Sequence, residues 1–232
     1  MATETVKVLG CWPSPYVIRA RIALNIKSVE HEYQEEDILG GNKSDLLLKS
    51  NPVYKKVPVL IHADRPVCES LVIVQYVDEV WASGPAILPS DPYDRATARF
   101  WATYIDEKWF PRLRGGFFSE GEEAKNAFEE SGEDVVLFEE AFTKCSKGQK
   151  FFGGERIGYL DIALGSLLSW IRVIEQACNM SFIDEAKTPN LYRWAHDFSA
   201  HVAVKDVLPD TDKVYQVAKF LLSAIKGAAP KK

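Results

Sequence analysis

The pattern of apolar residues changes once along this 232-residue chain, between residues 82 and 91. Before the change, short apolar runs typical of strands alternate with helical stripes, and after it only the helical period is found. Asp91-Pro92 is a strong helix start, since aspartate caps a helix and proline suits the first helical position. The sequence therefore predicts an α/β domain over residues 1–83, followed by an all-α domain over residues 91–232.

The first domain is predicted to contain strands and helices in the order β-α-β-α-β-β-α, which is the order of a thioredoxin-like domain. Pro15 is well placed near the start of the first helix, and Asp64-Arg65 is read as the tight turn between the last two strands. Strands are expected at 6–9, 31–35, 57–62 and 66–68, and helices after Pro15, over 43–49 and on the stripe Ile73, Val77 and Trp81.

The second domain is predicted to be a bundle of helices. Gly153-Gly154 is expected to break the chain within it, and no internal repeat or long linker is found. Helices are expected from Pro92 toward Arg114, over about 122–145, on the stripe Leu164, Leu167, Leu168 and Ile171, and over 189–198 and 212–225.

Composition and charge exclude several classes of function. The net charge of -5 gives no general attraction to nucleic acid or to an anionic membrane, and no apolar run is long enough to span a bilayer. The four cysteines have no metal-like spacing, so we expect no metal site and reduced thiols in a cytoplasmic protein. An anionic ligand would have to be held by local positive groups.

Ser14 lies between a predicted strand end and a predicted helix start, bracketed by Pro13 and Pro15. The first amides of a helix are unpaired, and the helix dipole favours negative charge there, so a thiol at this place is shifted toward its thiolate. From this segment alone a simple helix cap is the more common role of such a serine, and both interpretations stay open.

Two further segments carry polar groups suited to a peptide. Pro58 opens a strand and is a candidate for a cis peptide, which would leave the backbone of Val57 free to pair with an extended ligand. Lys56 and Lys43 are cations for carboxylates, while Glu69 and Ser70, at a strand-to-helix junction, suit an ammonium and a carboxylate. Each segment alone is more often purely structural. Together they fit a small peptide with an amino-acid head, a thiol and a distal carboxylate, which describes glutathione.

The chain resembles the plant tau class of cytosolic glutathione transferases over nearly its whole length. The segments that carry the resemblance keep the family's order and spacing, which makes the set specific although each segment alone is weak. They are Trp-Pro-Ser-Pro-Tyr (12–16), Glu-Glu-Asp (35–37), Leu-Leu-Leu-Lys-Ser-Asn-Pro-Val (46–53), Lys-Lys-Val-Pro-Val-Leu-Ile-His (55–62), Val-Cys-Glu-Ser (67–70), Leu-Pro-Ser-Asp-Pro-Tyr-Asp-Arg-Ala (88–96), Phe-Phe-Gly-Gly (151–154) and Leu-Asp-Ile-Ala-Leu (160–164).

The resemblance implies a homodimeric detoxifying enzyme of glutathione transferase fold, active in stress responses and without a cofactor, which conjugates glutathione as co-substrate to hydrophobic electrophiles. It implies that Ser14 is catalytic and donates to the glutathione sulfur. Glutathione would also be bound by Lys43, Lys56, Val57, Pro58, Glu69 and Ser70. From their positions we expect the electrophile between the domains, lined by Cys11, Trp12, Tyr16, Phe110, Arg114 and Trp170. Ordinary helix packing is an equal alternative for Phe110 and Trp170.

Three positions depart from the family's usual residues: Tyr16 replaces a phenylalanine, Cys11 an aromatic residue, and Gly158 a serine or threonine cap. Cys11 and Ser14 also resemble a monothiol redox motif, which makes a glutathione-dependent redox enzyme the first alternative. The position that aligns with the reactive cysteine of the thiol-transferring classes is Ser14, which argues against it. Side peroxidase activity, a non-catalytic carrier of apolar metabolites and a structural role complete the alternatives.

Overall fold

The computed structural model describes residues 5–228, with side chains described as far as residue 225. Within this range it confirms the predicted fold, a thioredoxin-like domain with a four-stranded sheet followed by a helical domain. The expected domain limits reach residues 1 and 232, and residues 1–4 and 229–232 lie outside the described residues.

The elements of the first domain follow the predicted order. The strands are β1 (Val6–Gly10), β2 (Glu32–Glu35), β3 (Val59–His62) and β4 (Arg65–Cys68), and the helices are α1 (Pro15–Ile26), α2 (Asp45–Ser50) and α3 (Ser70–Val80). The order across the sheet is β2-β1-β3-β4, where β1 is parallel to β2 and both other pairs are antiparallel.

The two faces of the sheet are covered by different helices. Val8 and Leu60 are fully buried in the large core that includes residues of α1 and α3, while Leu9 and Val59 pack with Leu47 of α2. This division follows from the alternation of side chains along a strand. It places the carboxyl end of β1 and the start of α1 at one edge of a rigid, buried layer.

The second domain contains seven helices within the described residues. They are α4 (Pro92–Tyr104), α5 (Phe110–Phe118), α6 (Gly121–Ser146), α7 (Tyr159–Gly165), α8 (Leu168–Cys178), α9 (Pro189–Ala200) and α10 (Thr211–Ala228), with a π-helical segment (Ile105–Trp109) joining α4 to α5. Among these described helices, none is long and apolar enough to cross a bilayer.

Three local expectations were wrong in detail. The turn between β3 and β4 is Ala63-Asp64, both with positive φ, because Arg65 pairs with His62 as the first residue of the returning strand. The helix expected to run from Pro92 toward Arg114 instead contains the π-helical segment (Ile105–Trp109), and the chain stays helical as far as Phe118. The stripe from 164 to 171 is buried as expected but crosses a break between α7 and α8.

The start of α7 is fixed by the fully buried carboxylate of Asp161. Its Oδ1 accepts hydrogen bonds from the backbone N–H of Phe152 at 2.8 Å and from the indole N–H of Trp194 at 2.7 Å. Its Oδ2 accepts from the backbone N–H of Gly153 at 2.9 Å and of Gly158 at 2.8 Å. Burial raises the pKa of Asp161 to about 6. The glycine at the cap position therefore needs no side-chain oxygen, because the carboxylate from the next turn anchors its backbone.

The two domains share one continuous core. Residues of α1 and α3 belong to the same buried cluster as residues of α4, α7 and the rest of the helical domain. This shared core holds the two domains in one relative position, so a cavity between them has a defined shape.

Candidate active site

Ser14 is the N-cap of α1, and its geometry suits both roles that the sequence left open. Its Oγ accepts a hydrogen bond from the backbone N–H of Val17 at 3.4 Å, and Pro15 occupies the first turn. A hydroxyl that accepts one hydrogen bond still has its own hydrogen to donate. Capping the helix and donating to an anion beside its N-terminus are therefore compatible.

A cavity of about 370 Å³ opens between the domains beside Ser14. The start of α1 and the loops around residues 38–43 and 55–57 form one side, and α5, α8 and α10 form the other. The predicted site residues that line it are Cys11, Ser14, Tyr16, Lys43, Lys56, Val57, Phe110, Arg114 and Trp170. The structure thus gathers residues that are more than 150 positions apart in the chain into one cleft.

Val57 precedes β3 and lies outside its ladder, which begins at Val59, and the Val57-Pro58 peptide is cis. The preceding loop is held by the buried side chain of Asn51, which donates to the carbonyl of Lys56 at 3.0 Å and accepts from the N–H of Tyr54 at 3.1 Å. This arrangement presents the backbone of Val57 at the cavity, while Pro58 is buried behind it and does not line it.

Glu69 and Ser70 lie at the junction of β4 and α3, outside the lining of the cavity. Glu69 is exposed and has φ of 70°, a conformation that non-glycine residues rarely adopt and that is often found at functional sites. Ser70 is buried at the start of α3, and its Oγ accepts a hydrogen bond from Arg19. The hydroxyl hydrogen of Ser70 therefore remains available for a ligand.

Arg19 is a residue of this region that the sequence analysis missed. Its side chain is fully buried and forms a bidentate pair with Asp106 of the π-helical segment, with both contacts at 2.7 Å. It also donates to Ser70 Oγ at 3.3 Å, to Ser166 Oγ at 3.1 Å and to the carbonyl of Ala163 at 2.8 Å. One guanidinium therefore joins α1, α3, α7 and the π-helical segment directly behind the cavity. No local pattern in the sequence gave a signal for Arg19, since its partners come from distant parts of the chain.

Trp170 lines the cavity and is also held in place by the first domain. Its indole N–H donates to the carbonyl of Pro13 at 2.7 Å. Tyr16 and Phe110 stand nearby in the lining, with the Tyr16 ring 5.1 Å from the guanidinium of Arg19. Trp170 thus combines the lining and the packing roles that the sequence left open.

Comparison with known proteins identifies the family. The glutathione S-transferase N-terminal domain matches residues 4–79, and the C-terminal domain of the same family matches residues 94–201. Glutathione S-transferase U17 of Arabidopsis thaliana is 57% identical over 94% of this chain and 96% of its own length. The crystal structure of a tau-class glutathione S-transferase from mango, Mangifera indica, is 61% identical, covers 94% of this chain and 98% of its own, and has a TM-score of 0.91. The chain belongs to the tau-class glutathione S-transferases.

A second solved structure is that of a relative bound to glutathione. Rice GST1, described in complex with glutathione, is 38% identical, with a TM-score of 0.88 over 97% of this chain and 99% of its own. The likeness to these solved structures extends through both domains of this chain.

Cys11 of this tau-class chain is not set up as a redox thiol. It is buried, and burial together with the nearby charge and hydrogen bond of Glu35 raises its pKa to about 11. The same carboxylate accepts from the backbone N–H of Trp12 at 3.0 Å and from the hydroxyl of Tyr33 at 2.6 Å. A reactive thiol needs a lowered pKa, so the electrostatics at Cys11 oppose the redox alternative.

The residues that line the cavity of this glutathione S-transferase differ in part from those expected from the sequence. Trp12 lies in the turn between β1 and α1 and lines a neighbouring groove with residues of α10 instead of the cavity. Within the described residues, no group of three or more metal-binding side chains is found. The lining residues that were not predicted are Pro13, Pro15, Ile38, Leu39, Lys55, Val217 and Leu221.

Proposed function

We propose that this chain conjugates glutathione to hydrophobic electrophiles and that Ser14 holds the sulfur of glutathione as a thiolate. The observation that carries the proposal is the position of the Ser14 hydroxyl, at the N-terminus of α1 and in the wall of the interdomain cavity. The solved complex of the rice relative with glutathione supports the choice of ligand.

To ionise the thiol of glutathione near neutral pH, the site must stabilise the thiolate relative to the thiol by a modest amount. A free thiol has a pKa of about 8.5, and lowering it by about two units corresponds to about 2.7 kcal/mol in favour of the anion. A hydrogen bond to a charged group contributes about 1.5–3 kcal/mol, and the end of a helix adds to it. The Ser14 hydroxyl and the first turn of α1 together supply this amount.

The rest of the site orients the tripeptide. Lys43 and Lys56 attract the glycine carboxylate, the backbone of Val57 before cis Pro58 pairs with the cysteine moiety, and Glu69 and Ser70 bind the γ-glutamyl end. No cofactor takes part, and glutathione is the co-substrate. We assign this role to the domain 1–83 and the acceptor role to the domain 91–232.

The electrophile binds beside the sulfur, against the apolar side of the cavity. Phe110, Trp170, Val217 and Leu221 supply a surface suited to an apolar ring or chain. The thiolate forms a carbon–sulfur bond there, and the leaving group departs, or a proton from solvent completes an addition. Cys11, Tyr16 and Arg114 shape the same space, and Trp12 contributes only through the neighbouring groove.

The protein acts as a cytoplasmic homodimer in this proposal. Exposed apolar side chains on the loop before β3, on α3 and on α4 are candidates for the contact with a second copy, since a dimer interface would remove them from water. These residues are Val53, Tyr54, Val72, Tyr93 and Phe100. Light scattering during gel filtration measures the assembly directly.

The test of the catalytic role compares conjugation of glutathione to chlorodinitrobenzene by wild type and Ser14 variants. We expect Ser14→Ala to lose most activity while its affinity for glutathione stays within about tenfold, or about 1.4 kcal/mol. The thiolate absorbance of bound glutathione should titrate at a higher pH. Ser14→Thr, which keeps the hydroxyl, should retain activity, whereas Ser14→Gly, which is tolerated at a helix cap but has no side-chain donor, should not.

Cys11→Ala is the matched control for the redox alternative, and it should remain active. If Cys11→Ala were inactive while Ser14→Ala conjugated normally, or if the wild type reduced disulfides but conjugated nothing, the serine-thiolate proposal would be wrong.

A further inference from the structure

The charges in the interdomain cavity are all of one sign. Four basic side chains line it, Lys43, Lys55, Lys56 and Arg114, and no aspartate or glutamate is among its described lining residues. The chain as a whole has a net charge of -5, so the cavity is a local positive region on an acidic protein. A cleft of one sign concentrates ligands of the opposite sign.

The four cations belong to two different sides of the cavity. The three lysines stand on loops of the first domain, where the proposed function places glutathione. Arg114 stands alone on α5 of the helical domain, one helical turn after Phe110 and therefore on the same face of that helix. Phe110 is buried and Arg114 is exposed, so the acceptor side runs from an apolar floor to a cationic rim.

Arg114 has no acidic partner among the described residues. Its guanidinium lies 5.5 Å from the centre of the Phe118 ring, and this stacking leaves its N–H donors uncommitted. Arg112 on the same helix is different, because it pairs with Glu130 at 3.1 Å and with Asp134 at 2.6 Å. The positive charge of Arg114 also acts within the cavity, where it opposes the burial that raises the pKa of Tyr16.

We propose that the preferred acceptors are electrophiles with an apolar body and a carboxylate, and that Arg114 binds this carboxylate while the body packs on Phe110 and Trp170. The inference rests on the proposed transferase function and names the substrate class of the same site. A guanidinium suits this task, since its planar fork matches a carboxylate.

A matched pair of acceptors isolates the charge. In para-chloro-meta-nitrobenzoate and the corresponding benzamide, the thiolate sulfur bonds to the ring carbon that carries chlorine, the C–Cl bond breaks, and chloride leaves with its electron pair. The two differ in one charge, and dividing each enzymatic rate by the uncatalysed rate corrects for intrinsic reactivity. The measured quantity is the ratio of kcat/KM for the acid to that for the amide.

We expect this ratio to fall about tenfold in Arg114→Gln, because an exposed contact lies at the low end of charge-assisted interactions. Arg156→Gln, at an exposed arginine away from the cavity, should leave the ratio unchanged. High salt should lower the ratio in the wild type more than in Arg114→Gln, since exposed charges are screened.

An unchanged ratio in Arg114→Gln would overturn the inference, and so would a fall in Lys55→Gln instead, which would assign the carboxylate to the glutathione side. Turnover of uncharged chlorodinitrobenzene by the same wild-type sample distinguishes failure of this inference from failure of the proposed function. If the wild type does not conjugate chlorodinitrobenzene, the proposed function fails. If it does, and the ratio is unchanged in Arg114→Gln, only the role of Arg114 is refuted.

Discussion

Replacing Asp106 by alanine tests the contact that ties the glutathione side of the cleft to the helical domain. The change removes two hydrogen bonds of 2.7 Å and leaves the fully buried guanidinium of Arg19 without its carboxylate. Breaking a buried pair in this way costs about 3–5 kcal/mol. The Asp106 side chain is 24% exposed, so water reaches the position that the carboxylate leaves. We therefore expect the free energy of unfolding to fall by an amount at the low end of this range, about 3 kcal/mol.

The assay is urea unfolding followed by tryptophan fluorescence, at one protein concentration because the stability of an assembling protein depends on concentration. Glu32→Ala is the matched control. It breaks the exposed pair with Lys7 at 3.2 Å and should cost less than about 1 kcal/mol. The double variant Arg19→Met with Asp106→Leu removes both charges and should be more stable than Asp106→Ala alone.

The single variant Asp106→Ala should also change the kinetics of the enzyme. Arg19 also donates to Ser70 Oγ, so its displacement should raise the KM for glutathione more than the KM for the electrophile. If Asp106→Ala were as stable as Glu32→Ala and bound glutathione normally, the reasoning that the buried pair organises this side of the site would be refuted.

Two further predictions follow from buried groups. Asp161→Asn puts an amide NH₂ against the N–H groups of Gly153 and Gly158, and the loss of two bonds to a charged acceptor should lower the free energy of unfolding by about 3 kcal/mol or more, as measured in urea. Alkylation of Cys11 by iodoacetamide, followed by mass spectrometry, should accelerate about tenfold per pH unit up to its pKa of about 11, since only the thiolate reacts. Glu35→Gln should speed the reaction near neutral pH, and a plateau near pH 8 would contradict the assignment.

The order of the elements and many of their ends could be predicted because their causes are local. Asp91 caps α4 through its own side chain, which accepts from the N–H of Tyr93 and of Asp94 at 2.9 Å, and Pro15 starts α1 as expected. Periodicity found the buried faces, and Ser14 was found because a hydroxyl at a strand-to-helix junction has a recognisable local context.

Predictions from local sequence were wrong where the structure depends on how separate segments of the chain pair or pack. The position of the turn at Ala63-Asp64 depends on which residue of β4 pairs with His62, and that register is a property of the strand pair. The π-helical segment is likewise not visible in a helical stripe. It places Asp106 opposite Arg19, a partner 87 positions away in the chain.

The sequence by itself determined the fold class, the family resemblance and the groups available for chemistry, because propensity, capping and periodicity act over a few residues. Only the tertiary structure decided which of those groups meet. It turned Trp12 out of the cavity, brought Val217 and Leu221 of α10 into it, and left Arg114 at its rim with no acidic partner among the residues that the structure describes. These outcomes depend on how helices pack across two domains, where each contact is fixed by the shape and burial of many distant residues at once.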